Sequence, residues 1–206
     1  MKVFLLNGSP HANGCTYTAL DEIARQLDRH EVGCEIWQIG AKPLAGCVAC
    51  GGCRREPNQC TQGGEAAEVI AKIKDADGVI IGSPVHYAGI AGNLSSLLDR
   101  VFFAKDSFAG KPAAAIVSCR RGGNASAHDR LNKYFTISQM PVVSSQYWNG
   151  VHGNTPDEVR RDLEGMQIMR TLANNMAWLM KCIKAGRDAG IAFPEPEPRV
   201  GTNFIR

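Results

Sequence analysis

Short, unbroken apolar runs alternating with longer amphipathic ones constrain this chain more than any other feature. Lys2 to Leu6 is apolar at nearly every position, too continuous for a strand with one face in water, and reads as a central strand of a parallel sheet. Thr16 to Leu27 follows with helical spacing through Leu20, Ile23, Ala24 and Leu27. The alternation continues with a strand over Cys34 to Ile39, a helix over Glu65 to Lys74 and a buried strand at Gly78 to Gly82 that Ser83-Pro84 is expected to stop. Leu94, Leu97, Leu98, Val101 and Phe102 mark a third helix, and Pro112 to Ser118 a fourth strand. A helix over Ser126 to Phe135 and a short fifth strand starting at Val142-Val143 complete the repeat. Such a pattern predicts an α/β fold with an open, doubly wound parallel sheet and helices on both faces.

The last long element reads as one helix from Pro156 to Ala185. Thr155-Pro156-Asp157-Glu158 supplies a hydroxyl N-cap, a first-turn proline and acids at the positive helix end. Its apolar stripe runs through Val159, Leu163, Met166, Met169, Leu172, Met176, Leu179 and Ile183, and is expected to pack on the sheet. The Pro194 to Pro198 run can be neither helix nor central strand. The expected organisation is therefore one domain over residues 1–190 and an extended tail over 191–206.

Bulk properties exclude more than they assign. A formal net charge of +3, with Lys and Arg scattered, makes no case for nucleic acid or a membrane surface as partner. The four apolar residues Val3 to Leu6 are too few for a signal-peptide core, and no stretch approaches the ~20 apolar residues of a membrane span, so a cytoplasmic location is expected. In that compartment eight cysteines are not a disulfide framework.

In this architecture ligands sit beyond the carboxyl ends of the strands, which directs attention to three loops. The first, Asn7 to Thr16, joins a strand directly to a helix, so its backbone N–H groups are available to an anion, with Ser9, Asn13 and Thr16 adding side-chain hydrogen bonds. Five residues separate Gly8 from Gly14 and no lysine follows, which rules out a Walker loop, and a GxGxxG dinucleotide fingerprint is missing. A cradle for a terminal phosphomonoester remains, beside the plainer reading of a polar turn. The second, Gly82 to Gly89, leaves space for a flat ring beside Pro84; the third, Ser118 to Gly123, combines Arg120 and Arg121 with two glycines.

Together Gly8-Ser9-Pro10 to Thr16, Gly82-Ser83-Pro84-Val85-His86-Tyr87 and Leu97-Leu98-Asp99-Arg100 resemble the NADPH-dependent FMN reductase group of flavodoxin-like proteins over about the first 150 residues. The resemblance implies five parallel strands in the order 2-1-3-4-5, FMN as cofactor and NAD(P)H as reductant. It places Ser9, His11, Asn13, Gly14, Cys15 and Thr16 around the FMN phosphate. Pro84, Val85, His86, Tyr87 and Ala88 would flank the ring, with Ser118, Arg120, Gly122 and Gly123. His86 departs from the usual aromatic residue, leaving His86 and Tyr87 as alternatives for the ring contact. No catalytic acid or base is implied, because the flavin carries the chemistry.

Cys47, Cys50, Cys53 and Cys60 form C-x2-C-x2-C-x6-C, a spacing suited to [4Fe–4S] ligation and not to the paired C-x2-C of a zinc ribbon. The motif is similar to that of the iron–sulfur flavoprotein branch of the same group, some of whose relatives carry much of the pattern with no cluster, so both readings stand. Cys15, Cys34, Cys119 and Cys182 read as packing or loop residues. The expected function is an FMN-dependent oxidoreductase passing electrons from NAD(P)H to a quinone, flavin or other small-molecule acceptor. The alternative is an electron-transfer protein serving a redox protein such as ferredoxin. The resemblance further implies a homodimer or homotetramer.

Overall fold

The computed structural model describes residues 1–198 and 200–202. Five parallel strands form the main sheet: β1 (Lys2–Asn7), β2 (Gly33–Gln38), β3 (Gly78–His86), β5 (Ala113–Cys119) and β6 (Gly150–His152), while β4 (Gly89–Ile90) pairs antiparallel with the end of β3. The spatial order β2-β1-β3-β5-β6 is the expected 2-1-3-4-5 once the two-residue β4 is set aside. The connecting helices are α1 (Cys15–Asp28), α2 (Glu65–Asp75), α3 (Gly92–Ala104), α4 (Asn124–Thr136), α5 (Pro156–Arg161) and α6 (Leu163–Asp188). They cover both faces because both faces are apolar: Phe4, Leu6, Val79 and Ile81 point into one core with α2, α3 and α4. Val3, Leu5, Ile80 and Ile116 point into the other, with α1 and α6. Among the described residues, no helix is long and apolar enough to cross a membrane.

Three expectations are corrected. Pro84 does not stop β3; it continues to His86 with Pro84 in register with Ser118. β1 ends opposite Gly82, so beyond that point only β5 flanks the strand on the sheet path, an edge-like position where proline is tolerated. The fifth strand is Gly150–His152, not Val142-Val143; Val142 makes only an isolated bridge with Ala113. The last helix is two helices, because Asp162 leaves helical geometry at ψ 81° and caps α6 with its carboxylate. That break shifts the helical phase, and Leu163, expected in the apolar stripe, is exposed.

The Thr155 cap is as expected: its hydroxyl accepts from Glu158 N at 3.2 Å. Residues 191–198 and 200–202 have no regular structure, and the rest of the expected tail, 199 and 203–206, lies outside the described residues.

Candidate functional site

The carboxyl ends of β1, β3, β5 and β6 surround a cleft of about 720 Å³. Eleven of the fifteen residues expected at a cofactor site line it: Ser9, His11, Asn13, Gly14, Cys15, Thr16, Pro84, Val85, His86, Ser118 and Arg120. Tyr87, Ala88, Gly122 and Gly123 do not; Tyr87, Ala88 and Gly123 meet at the turn that follows the cleft-lining Val85 and His86. Tyr87 and Ala88 form a two-residue turn between β3 and β4 with φ of 49° and 59°, and Tyr87 is fully exposed. Gly123 packs under that turn: a Cβ there would lie 2.9 Å from Ala88 Cα.

The first loop is held from beneath. Asn7 accepts from Ser9 N at 3.1 Å and donates to Gln38 Oε1 at 2.5 Å, while Gln38 donates to Ser9 O at 2.5 Å. Gly8 N donates to Gly82 O at 2.8 Å, and a Cβ on Gly8 would sit 2.5 Å from a methyl of Leu94, so the loop leaves β1 by a route only glycine fits. These contacts fix the backbone and leave its donors open. The N–H groups of Ala12, Asn13 and Thr16 find no acceptor among the described residues, and no side chain caps the start of α1. A helix N-terminus with free N–H groups attracts an anion. Thr16 Oγ1 and Ser118 Oγ, both buried, share one hydrogen bond of 2.8 Å; whichever donates, the other keeps a proton to offer into the cleft. Arg120 supplies an exposed cation at the third side.

Burial raises the pKa of the Cys15 and Cys119 thiols, which disfavours their thiolate forms. Cys15 Sγ also lies 3.7 Å from Gly153 O, tying α1 to the loop after β6. Sequence reasoning misses that loop: Gly153, Asn154 and Pro156 line the cleft, beside Pro10 and Ala12 of the expected first loop and Cys119 of the expected third. The signal was present in Gly153-Asn154-Thr155-Pro156 as a strand-to-helix turn. Placing the fifth strand at Val142 moved it away from a strand end.

A second, smaller cavity of about 20 Å³, on the order of one water molecule, is lined by Cys47, Cys50, Cys53 and Cys60 together with Arg100 and Phe103. Its cysteines are free thiols, Cys47 and Cys50 exposed and Cys53 and Cys60 half-buried. Thr61 Oγ1 lies 3.2 Å from Cys50 Sγ and, with the backbone of Gly52, lowers the Cys50 pKa. Among the described residues no three His, Cys, Asp or Glu side chains meet closely enough to hold a single metal ion.

The pattern described as NADPH-dependent FMN reductase matches residues 1–155. The chain is 29% identical over 195 residues to an iron-sulfur flavoprotein of Methanocaldococcus jannaschii, covering 89% of this chain and all of that one. Among solved structures it is similar in fold to RosB bound to 8-demethyl-8-formylriboflavin-5'-phosphate. That match has a TM-score of 0.69 at 14% identity and covers all of this chain and 94% of the other. It is also similar to a flavodoxin from the domain Archaea, with a TM-score of 0.58 at 15% identity over 88% of this chain and 99% of that one.

Proposed function

Because the chain belongs to the NADPH-dependent FMN reductase family, we propose that its cleft holds FMN and passes electrons from NAD(P)H to a quinone, a free flavin or another small acceptor. The observation that carries this reading is the meeting of free N–H groups at the start of α1 with the Pro84 and Ser118 loops in one cleft. The residues fit the cofactor. Ala12, Asn13 and Thr16 N–H and the Thr16–Ser118 hydroxyl pair would hold the phosphate, while Pro84 and Val85 would give a wall for the ring. Arg120 offers positive charge where negative charge would develop on reduction. FMN, when bound, supplies the hydride and electron chemistry; the protein holds it and sets its electrostatics.

The four cysteines fit a [4Fe–4S] cluster by their donor chemistry. Each thiolate of such a cluster binds a different iron, so the sulfurs must line one space and need not converge on a point. The segment carrying Cys47, Cys50 and Cys53 has only a short 3-10 turn (Gly52–Arg54); Cys47 and Cys50 are exposed, while Cys53 and Cys60 pack against the core beneath α2 and α3. In the reducing cytoplasm, where this reading places the protein, cysteines stay available as ligands. Assembly as a homodimer or homotetramer would cover the exposed Tyr147, Trp148 and Trp178; sedimentation velocity reads it directly.

Anaerobic NAD(P)H oxidation with a quinone acceptor tests the electron path. Turnover with bound FMN supports the enzyme. No turnover, with rapid reduction by a ferredoxin, replaces it with the electron-transfer reading. Iron and sulfide assays on the same sample test the cluster.

A further inference from the structure

Among the described residues Arg100 is the one buried charged side chain, 4% exposed within α3. A guanidinium removed from water needs a counter-charge or a full set of acceptors. Among the described residues no carboxylate forms an ion pair with it. Its sequence neighbour Asp99 points elsewhere, bound by the Tyr134 hydroxyl and by Arg130 at 3.3 Å. Arg100 instead donates to three acceptors in and beside the cysteine segment: Cys60 Sγ at 3.3 Å, Ala45 O at 3.5 Å and Gly63 O. It lines the same cavity as all four cysteines and does not line the large cleft.

A buried cation beside four potential thiolates and no carboxylate is half of an ion pair. We propose that Arg100 is the counter-cation of the four-cysteine pocket, a positioning residue that holds Cys60 and offsets the negative charge of thiolates ligating a cluster there. The inference rests on the reading that these cysteines carry iron and sulfide. Uptake of one electron at the pocket adds one negative charge beside the guanidinium. Hydrogen bonds and positive charge near thiolate sulfur favour the reduced state. A side chain that only pinned the loop through Ala45 and Gly63 would leave that balance unchanged.

The test compares full-length, anaerobically purified wild type with Arg100→Lys, Arg100→Gln and Arg100→Met. FMN content per chain reports folding, and iron, sulfide and a one-electron reductive titration followed by electron paramagnetic resonance report the pocket. In the neutral variants the ratio of reduced to oxidised cluster at a fixed potential is expected to fall about tenfold, equal to 59 mV for one electron. Arg100→Lys, whose ammonium the neighbouring thiolates keep charged, is expected to stay within about twofold. Loss of iron in the neutral variants alone, with FMN retained, supports the same conclusion. Neutral variants that keep iron and match wild type overturn the proposal, as does a Lys variant that loses iron or shifts tenfold. If the neutral variants fail to fold, the Lys result alone decides by the same criterion. Wild type with FMN and no iron would instead overturn the cluster reading itself, an outcome distinct from any Arg100 effect.

Discussion

Gly123 and the Tyr87-Ala88 turn bear on each other beside the cleft. Gly123 has φ 85°, a left-handed conformation that disfavours a Cβ, and that Cβ would also meet Ala88 Cα at 2.9 Å and Val85 Cγ1 at 3.1 Å. Gly123→Ala is expected to cost about 1–3 kcal/mol by backbone strain and to push Val85 out of place. Chemical denaturation should show the loss, and FMN titration by fluorescence quenching should show affinity falling several-fold. Tyr87 and Ala88 carry the complementary strain. Both hold positive φ in a two-residue hairpin turn whose preferred sequence is Asn-Gly, and neither residue type favours it. Replacing the pair by Asn-Gly is expected to stabilise the fold by about 1 kcal/mol. Non-glycine strain kept beside a cleft is a mark of function, so the same variant should lose NAD(P)H turnover while gaining stability; a variant that gains both would assign Tyr87 no role. The sequence could not show this turn, because it lacks the glycine and asparagine that normally announce one. The Gly8 and Ser9 to Thr16 loop was legible because strand, small residues and helix lie in immediate succession.

At the scale of elements, Asp162 joins three segments. Its carboxylate accepts from His152 N at 2.6 Å and from Gly165 N at 2.9 Å, so it ends α5, starts α6 and holds the last strand. Gly165 is required beside it, since a Cβ there would lie 2.4 Å from Asp162 Oδ2. Asp162→Ala leaves both donors without this acceptor and is expected to cost about 1–3 kcal/mol, read as a lower urea midpoint with unchanged slope. The apolar stripe runs on across position 162, which is why periodicity alone gave one continuous helix. β6 was equally hidden: Gly150-Val151-His152 has one apolar residue, and it becomes a strand through pairing with Val117 to Cys119 and the Asn149 Nδ2 bond to Ala115 O at 3.1 Å. Short edge strands are set by such partners more than by their own propensity. A different pair links α2 to the end of α3: Lys74 lies 3.0 Å from Asp106 and, with Ser107 N, lowers the Asp106 pKa to about 2. A carboxyl depressed from 3.8 adds stability above its unfolded pKa and loses it as pH falls through about 2. Asp106→Asn should therefore flatten the unfolding curve between these values, by under about 1 kcal/mol because the pair is exposed.

For the whole molecule the question is where the folded unit ends. Both cores close within the first 180 residues, with Met176 and Met180 packing over Gly78 at the amino ends of the strands. The tail begins at that same end. Ile191 N donates to Gly186 O at 2.9 Å, and the Phe193 ring, itself 48% exposed, covers Gly110, whose Cβ, if present, would meet it at 2.7 Å. The cleft lies at the opposite, carboxyl ends, and among the described residues of the tail none lines it. A chain ending at residue 190 should lose the partial burial of Phe193, about 1 kcal/mol, and melt roughly 2–4 °C lower. Its FMN affinity should stay within about twofold, since no described residue of the removed segment lines the cleft. FMN binding should then raise the melting temperature of both chains equally, because a ligand's stabilisation depends on its own affinity and concentration. A truncated chain that binds FMN tenfold more weakly would move the boundary past 190 and make the tail part of the binding domain.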